Sequence, residues 1–352
     1  MNLQLVFDGH NDWLLRMREH GDTPQSFFDR LQGYHLDFPR ARESGLAGGI
    51  FAMFTPASLG PNDDLAGPAD NASRDVPLPA PIERHWATDN VFAMVRAAHR
   101  IEALSEGRVR IVRNVIGLDA AFAEGVFSIV LHIEGAEAID TELDALYVLY
   151  EAGLRSLGIV WSRPNDFGHG VPFRFPSSPD TGPGLTEAGG RLVRACNELG
   201  VVIDLSHITQ RGFWDVAKES TAPLVASHSC AHAICPSARN LTDAQIDAVR
   251  DTGGIIGVNF HVGFLRSDGR RDANTPLSEI VRHVRYIADR TGVDHVGLGS
   301  DFDGATMPGE LGGVEGLPRL IAALRLGGFD ESDLEKIAWR NWRRVIGATW
   351  KG

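Results

Sequence analysis

His10 and Asp12 stand two residues apart at the end of the first apolar run, Leu3-Gln4-Leu5-Val6-Phe7-Asp8-Gly9-His10-Asn11-Asp12. Successive side chains of a strand point to opposite faces, so residues two apart point the same way. An imidazole and a carboxylate aimed together from a strand end form half of a divalent-metal site. A plain Asp-Gly turn after an ordinary strand would leave the same residues, so the pair has meaning only with partners from elsewhere in the chain.

Four further apolar runs end in groups of the same chemistry. Ile129-Val130-Leu131-His132-Ile133-Glu134 ends in Glu134, whose two oxygens could each take one cation; a helix cap or surface turn is the plainer reading. Val201-Val202-Ile203-Asp204-Leu205-Ser206-His207 and Leu224-Val225-Ala226-Ser227-His228 each end in a Ser-His pair. Val296-Gly297-Leu298-Gly299-Ser300 runs into Asp301 and Asp303. If the strands are parallel, His10, Asp12, Glu134, His207, His228 and Asp301 converge on one mouth. Three imidazoles and three carboxylates, with Glu134 shared, suit two zinc or similar divalent ions about 3.5–4 Å apart. Such a pair would clamp a hydroxide and polarise a carbonyl. Asp301, left over as a non-ligand, would take the proton from the bridging water and pass it to a leaving amine.

The elements needed to position these residues can be read from periodicity. Eight short strand-like runs occur: Gln4–Asp8, Gly48–Phe54, Ser128–Ile133, Leu157–Trp161, Val201–Leu205, Pro223–Ala226, Gly254–Phe260 and Val296–Gly299. Helix-period segments lie between several of them, at Asn90–Glu106, Leu185–Leu199, Thr242–Arg250 and Pro276–Thr291, with Asp330–Ile346 after the last. Thr242 and Gln245 have the spacing of a capping box. Strand–helix alternation with eight strands predicts a single (β/α)8 TIM barrel, of metal-dependent hydrolase type, over residues 1–352. A doubly wound open sheet competes. It would gather its polar groups at one switch point rather than at several strand ends. The stretch at about 55–86 is rich in Pro, Gly, Asp and Asn and lacks periodicity, which predicts a long loop near the site.

Bulk properties exclude several classes of function. The chain has 352 residues, 43% of them hydrophobic, enough for a large core. A formal net charge of −12 argues against nucleic acid and supplies no basic patch for a membrane surface. Three cysteines, Cys196, Cys230 and Cys235, make neither a disulfide framework nor a CxxC metal site. No apolar run reaches 18 residues, and the termini carry no signal or anchor pattern. The expectation is a cytoplasmic protein, with a homodimer as one possible assembly.

Taken together, Asp8-Gly9-His10-Asn11-Asp12, His132-Ile133-Glu134-Gly135, Asp204-Leu205-Ser206-His207, Ser227-His228-Ser229, Ala238-Arg239-Asn240-Leu241-Thr242-Asp243 and Gly299-Ser300-Asp301-Phe302-Asp303-Gly304 resemble the membrane (renal) dipeptidase family of zinc metallopeptidases, peptidase family M19. The resemblance implies a binuclear zinc site. His10, Asp12 and a bridging Glu134 would hold one ion; Glu134, His207 and His228 would hold the other. It also implies that Arg239 binds the C-terminal carboxylate of a dipeptide and that Asp301 shuttles the proton. A guanidinium suits that carboxylate because it binds bidentately.

Two departures bear on substrate preference. Many members of the family place a His, which contacts the substrate carbonyl, at the end of the fourth strand; this chain has Trp161. His169 on the following loop is a candidate for that contact, with Asn165 or Arg163 as alternatives. His261 stands where the animal enzymes have Tyr. The expected activity is zinc-dependent hydrolysis of dipeptides, including those with a C-terminal D-residue, by a metal-bridging hydroxide. The same metals could serve an N-acyl-amino-acid deacylase or a β-lactam or lactone hydrolase. A ligand-binding barrel without catalysis is the remaining alternative.

Overall fold

The computed structural model describes residues 3–59 and 73–351. Among the described residues there are eleven strands: β1 (Val6–Asn11), β2 (Leu46–Phe54), β3 (Arg74–Asp75), β4 (Val109–Ile111), β5 (Phe127–Glu134), β6 (Leu154–Gly158), β7 (Arg174–Phe175), β8 (Val202–Asp204), β9 (Val225–Ser229), β10 (Ile255–Val258) and β11 (Val296–Leu298). Eight of them pair in the order β1-β2-β5-β6-β8-β9-β10-β11, and every pairing on that path is parallel. The short β4 adds to β5 outside the path. The ring closes between its first and last strands: the Asp301 N–H donates to His10 O at 2.9 Å, and the Asp12 N–H donates to Phe302 O at 2.8 Å. This is the (β/α)8 barrel the alternation predicted.

Helices cover the outside because their apolar stripes demand it. Leu277–Thr291 buries Leu277, Ile280, Val284 and Ile287 at helical spacing, starts just after Pro276 and stops at Gly292. Asp243–Asp251 carries the capping box expected at Thr242 and Gln245. Trp13–His20 follows β1 directly with Asp12 at its N-cap, yet the Asp12 side chain makes no capping bond. An N-cap Asp ordinarily satisfies an orphan N–H. This one faces the barrel mouth instead.

The floor of the barrel is sealed by Trp342, from the helix Asn341–Thr349. It packs with Phe7, Ile50, Val130, Val202, Val225 and Ile255, and its indole N–H donates to Leu298 O at 3.0 Å. The strands make room for it with glycine. A Cβ on Gly9 or Gly297 would lie 2.2 or 2.6 Å from the indole.

Several boundaries differ from the expectation. The fourth barrel strand is Leu154–Gly158, three residues earlier than the run Leu157–Trp161, so Trp161 stands beyond its end. Arg155 and Ser156 sit inside that strand and masked it; Arg155 is accommodated by donating to the carbonyls of Arg113, Tyr150 and Leu154. The segment expected as one helix, Asp330–Ile346, is a helix at Glu331–Glu335, a π-turn segment at Lys336–Arg340 and a helix at Asn341–Thr349. Within the stretch at 55–86, residues 60–72 lie outside the described residues. The remainder includes β3, which pairs antiparallel with β7, and the start of a helix at Arg84–Leu104. All three cysteines are free and buried. No helix among the described residues is long and apolar enough to cross a membrane.

Candidate active site

Val130, His132 and Glu134 alternate along β5 and share its inward face, so Glu134 is delivered to the mouth by strand period alone. His10 arrives from β1 and His228 from β9; His207 lies three residues past β8, Asp301 three past β11. The structure brings all six residues of the expected set together. Glu134 sits at the centre, and its two oxygens face different partners. Oε1 is 3.1 Å from His207 Nε2 and 3.5 Å from His228 Nε2; Oε2 is 3.7 Å from His10 Nε2. Asp12 Oδ2 is 3.6 Å from the same His10 nitrogen. Ligand atoms of His10, Asp12 and Asp301 all lie within 4.8 Å of one another, as do those of His10, Glu134 and His228.

The arrangement fits divalent metal on its own geometry. Nε2 of His207 and Nε2 of His228 face each other at 3.0 Å. Ser227 Oγ donates to Asp204 Oδ2 at 2.5 Å and lies 2.8 Å from His228 Nδ1. With its proton committed to the carboxylate, Ser227 Oγ accepts from His228 Nδ1–H, so His228 Nε2 presents a lone pair. Ser162 Oγ lies 2.8 Å from Nδ1 of His207 and holds that ring from behind. Buried His10 Nε2 has no hydrogen-bond partner. Converging basic nitrogens and carboxylates, with the rings of His207 and His228 held from behind, are what a divalent-metal site requires. Gly304 completes the cradle. A Cβ there would lie 2.1 Å from Asp12 Oδ2 and 2.7 Å from Asp301 Oδ1.

Electrostatics point the same way. Burial pushes the His207 imidazole down to about 3, helped by the Arg239 charge, and burial with the His10 charge lowers His228, so both are neutral, as ligands must be; at His10 burial is outweighed by Glu134 and Asp12, which hold that imidazole well above its usual range, and as a ligand it would give up that proton. Burial would raise Glu134, but the charge and hydrogen bonds of His10, with those of His207 and His228, hold it well below the usual range. Burial drives Asp12 up to about 8, with Glu134 and Asp301 adding like charge. A cluster of carboxylates this crowded is relieved by cations.

Asp301 and His207 both have positive φ, +62° and +70°, a region costly for side chains with a Cβ. Asp301 is held there by its N–H bond to His10 O and by Asn259, whose Nδ2 donates to Asp301 Oδ2 at 2.9 Å. Burial opposes ionisation of Asp301, but the His228 and His10 charges outweigh it and keep its pKa lowered.

A cavity of about 400 Å³ opens above this cluster. His261 and Trp161 line it. Trp161 lies against Phe54 at 4.7 Å and against His207 at 5.7 Å between ring centroids, so one side of the cavity is an aromatic wall. Arg239, 3% exposed, is not itself part of the lining and sits against Phe264, which is. Its Nη2 donates to His228 O at 3.1 Å, its Nε has no hydrogen-bond partner, and its guanidinium packs 5.3 Å from the Phe264 ring. Asn165 and His169 do not line the cavity. Asn165 donates to Ile159 O and accepts from the N–H groups of Phe167 and Gly168; His169 Nδ1 lies 3.3 Å from Gly184 O. Their side chains shape the loop after β6. Arg163 is also committed, to Glu137 at 2.7 Å and to Thr55 O at 2.8 Å.

Supporting residues were less visible in the sequence. Asp8 accepts from the N–H and Oγ of Ser300 at 2.8 Å each, tying β1 to the segment that carries Asp301. His35 lines the cavity and receives the Asp303 N–H at 2.9 Å, across 268 residues of sequence. Only the folded chain brings such partners together. Asp8 had a usable signal, a carboxylate within the first apolar run.

A closed parallel barrel whose mouth gathers three histidines and three carboxylates defines a metal-dependent hydrolase. Residues 1–351 match the membrane dipeptidases, peptidase family M19. A metallopeptidase from Rhodobacter sphaeroides, solved with a phosphinate mimic of the dipeptide L-Ala-D-Ala, superposes with a TM-score of 0.93 at 45% identity, covering 99% of this chain and all of that one. Dipeptidase AC, a metallopeptidase of the same family, gives a TM-score of 0.93 at 46% identity with both chains fully covered. An uncharacterised Klebsiella pneumoniae protein encoded in the pqqA 5' region is 50% identical over 263 residues, 75% of this chain and 97% of that protein. The dipeptidase tcpJ of Claviceps purpurea is 27% identical over 348 residues, 96% of this chain and 76% of its own length. The chain belongs to the membrane dipeptidase family, peptidase family M19, and is a metal-dependent dipeptidase.

Proposed function

We propose that the protein hydrolyses free dipeptides, including those ending in a D-residue, with two zinc ions held at the barrel mouth. The observation that carries this reading is the division of Glu134: one oxygen faces His10, the other His207 and His228. In the reading, His10, Asp12 and Glu134 hold one ion, and Glu134, His207 and His228 hold the other. The mixed imidazole and carboxylate donors suit zinc. Bound there, the ions supply an activated water and a Lewis acid for the substrate carbonyl. Asp301, kept ionised and oriented by Asn259, accepts the proton of the attacking water and returns it to the leaving amine. Arg239 pairs with the C-terminal carboxylate of the substrate. Trp161 and Phe54 exclude water from one side of the cavity. The Rhodobacter sphaeroides relative, solved with a mimic of L-Ala-D-Ala, supports acceptance of a C-terminal D-residue.

A dipeptide panel tests this reading. Metal-loaded protein is given L,L and L,D dipeptides, and N-acetylated amino acids as controls. Hydrolysis confined to substrates with a free amino group is expected. Equal or better hydrolysis of the N-acetyl compounds would replace the reading with a deacylase.

A further inference from the structure

The lining of the cavity changes character around the ring. The segments that follow β9, β10 and β11 bring polar groups to it, Ser237, His261, Arg271 and Thr306. Those that follow β1, β2 and β6 bring Leu15, Phe54, Trp161 and Phe173. Arg16 and Glu19, which also line the cavity from the helix after β1, offset each other at 3.9 Å. Beyond the metal cluster, the side of the mouth next to β2 and β6 is therefore apolar.

Two rings of that side form one rigid surface. Phe54 and Trp161 lie 4.7 Å apart between centroids, and Phe173 meets Trp161 edge-on at 5.4 Å. Behind them is buried Arg163. Its guanidinium stands 5.4 Å from the Phe54 centroid and 5.5 Å from that of Trp161. Arg163 Nε donates to Glu137 Oε1 at 2.7 Å, and Nη2 donates to the carbonyl of Thr55, the residue after Phe54, at 2.8 Å. One side chain thus packs on both rings and ties down the backbone beside the first. Aromatic faces attract cations, but here a cation of the protein is already in place and is paired with Glu137. What the two rings offer a substrate is apolar area. A wall already ordered costs little to bind against.

Strand order gives this wall a direction. β2 is second and β9 sixth in the ring of eight, so they stand across the mouth from each other. Arg239 follows β9 and packs against Phe264, which follows β10. With the substrate's C-terminal carboxylate on that side and its peptide carbonyl over the metal cluster, the N-terminal residue extends toward β2 and β6. Its side chain is the part of a dipeptide that meets Phe54 and Trp161.

We infer that Phe54 and Trp161, with Arg163 as their positioning residue, form the subsite for the N-terminal side chain and select dipeptides in which that side chain is large and apolar, of the leucine, methionine or phenylalanine kind. The inference rests on the dipeptidase reading above, with Arg239 at the C-terminal carboxylate. Each methylene buried against the rings adds to binding, and binding energy gained at such a pocket appears in kcat/KM. N-terminal leucine should exceed glycine by about tenfold or more.

The test compares L-Leu-Gly, Gly-L-Leu, L-Lys-Gly and Gly-Gly on zinc-loaded protein, for wild type, Trp161→Ser, Phe54→Leu and Arg163→Met. Wild type should favour L-Leu-Gly over the other three. In Trp161→Ser the ratio of L-Leu-Gly to Gly-Gly in kcat/KM should fall about tenfold. The milder Phe54→Leu should move it the same way. Arg163→Met should raise KM for L-Leu-Gly more than for Gly-Gly, where a merely structural role would change both alike. A wild type that favours Gly-L-Leu, favours L-Lys-Gly or shows no preference overturns the inference. So do Trp161→Ser and Phe54→Leu variants that lose L-Leu-Gly and Gly-Gly equally. Failure to cleave any dipeptide would refute the dipeptidase reading itself, a separate result.

Discussion

Asp204 fixes the proton of Ser227, and through it decides which nitrogen of His228 faces Glu134. Ser227 Oγ donates to Asp204 Oδ2 at 2.5 Å and stands 2.8 Å from His228 Nδ1. Burial opposes the charge on Asp204, but the His228 and His132 charges and the Ser227 hydrogen bonds hold its pKa far below the usual carboxylate range. It is an acceptor only. Asp204→Asn would place a donor against Ser227 and turn the His228 tautomer over. Zinc affinity should fall about 10–100-fold. Titration calorimetry on metal-stripped protein measures this, and excess zinc should restore much of the lost activity.

Ligand atoms of Asp301, His10 and Asp12 lie within 4.8 Å of one another, and in the proposed mechanism Asp301 carries the proton. Asp301→Asn keeps the size and the Asn259 contact and removes the base. It should lower kcat about 10²–10⁴-fold while two ions remain bound. Steady-state kinetics together with metal analysis separate this from ligand loss. A variant that loses metal in proportion to activity would make Asp301 a ligand.

The floor of the barrel depends on bare glycine. A Cβ on Gly297 would lie 2.6 Å from Trp342 Nε1 and 2.9 Å from Ile255 Cδ1. Gly297→Ala should destabilise the protein by about 1–3 kcal/mol. Urea unfolding should show a lower midpoint with an unchanged slope.

His283 gives a pH signature remote from the mouth. Its Nδ1 accepts from the Ala231 N–H at 3.1 Å and its Nε2 pairs with Leu265 O at 2.9 Å, so the ring is needed neutral. Burial brings it down to about 4 from 6.5. A depressed histidine contributes stability that is complete above about 6.5 and lost as pH falls toward about 4. Its share is up to about 3 kcal/mol. Unfolding curves across that window should steepen for wild type relative to His283→Gln, whose amide keeps one donor and one acceptor without titrating.

The mouth of the barrel was legible in the sequence because each of its side chains ends or follows an apolar run, where period two leaves little freedom. The last strand before Trp161 was harder to place. Buried Arg155 and Ser156 break its apolar pattern, while Ile159 and Val160 imitate a strand after it. The helix Val115–Glu124 is short and carries a narrow stripe that does not stand out. Ser162, Asn259 and His35 reach the site only by tertiary contact, so spacing along the chain could not announce them. Asn165 and His169 looked available as polar residues on a loop, but local hydrogen bonds consume the first and the loop's path turns the second toward Gly184.

The most direct test of the central claim is metal content measured alongside dipeptide hydrolysis on one preparation. Two divalent ions per chain are expected, with loss of activity on thorough chelation and recovery when zinc is added back. His207→Ala should hold fewer ions and lose nearly all activity. A purified protein that contains no divalent metal yet cleaves dipeptides, or that keeps full activity after chelation, would contradict it.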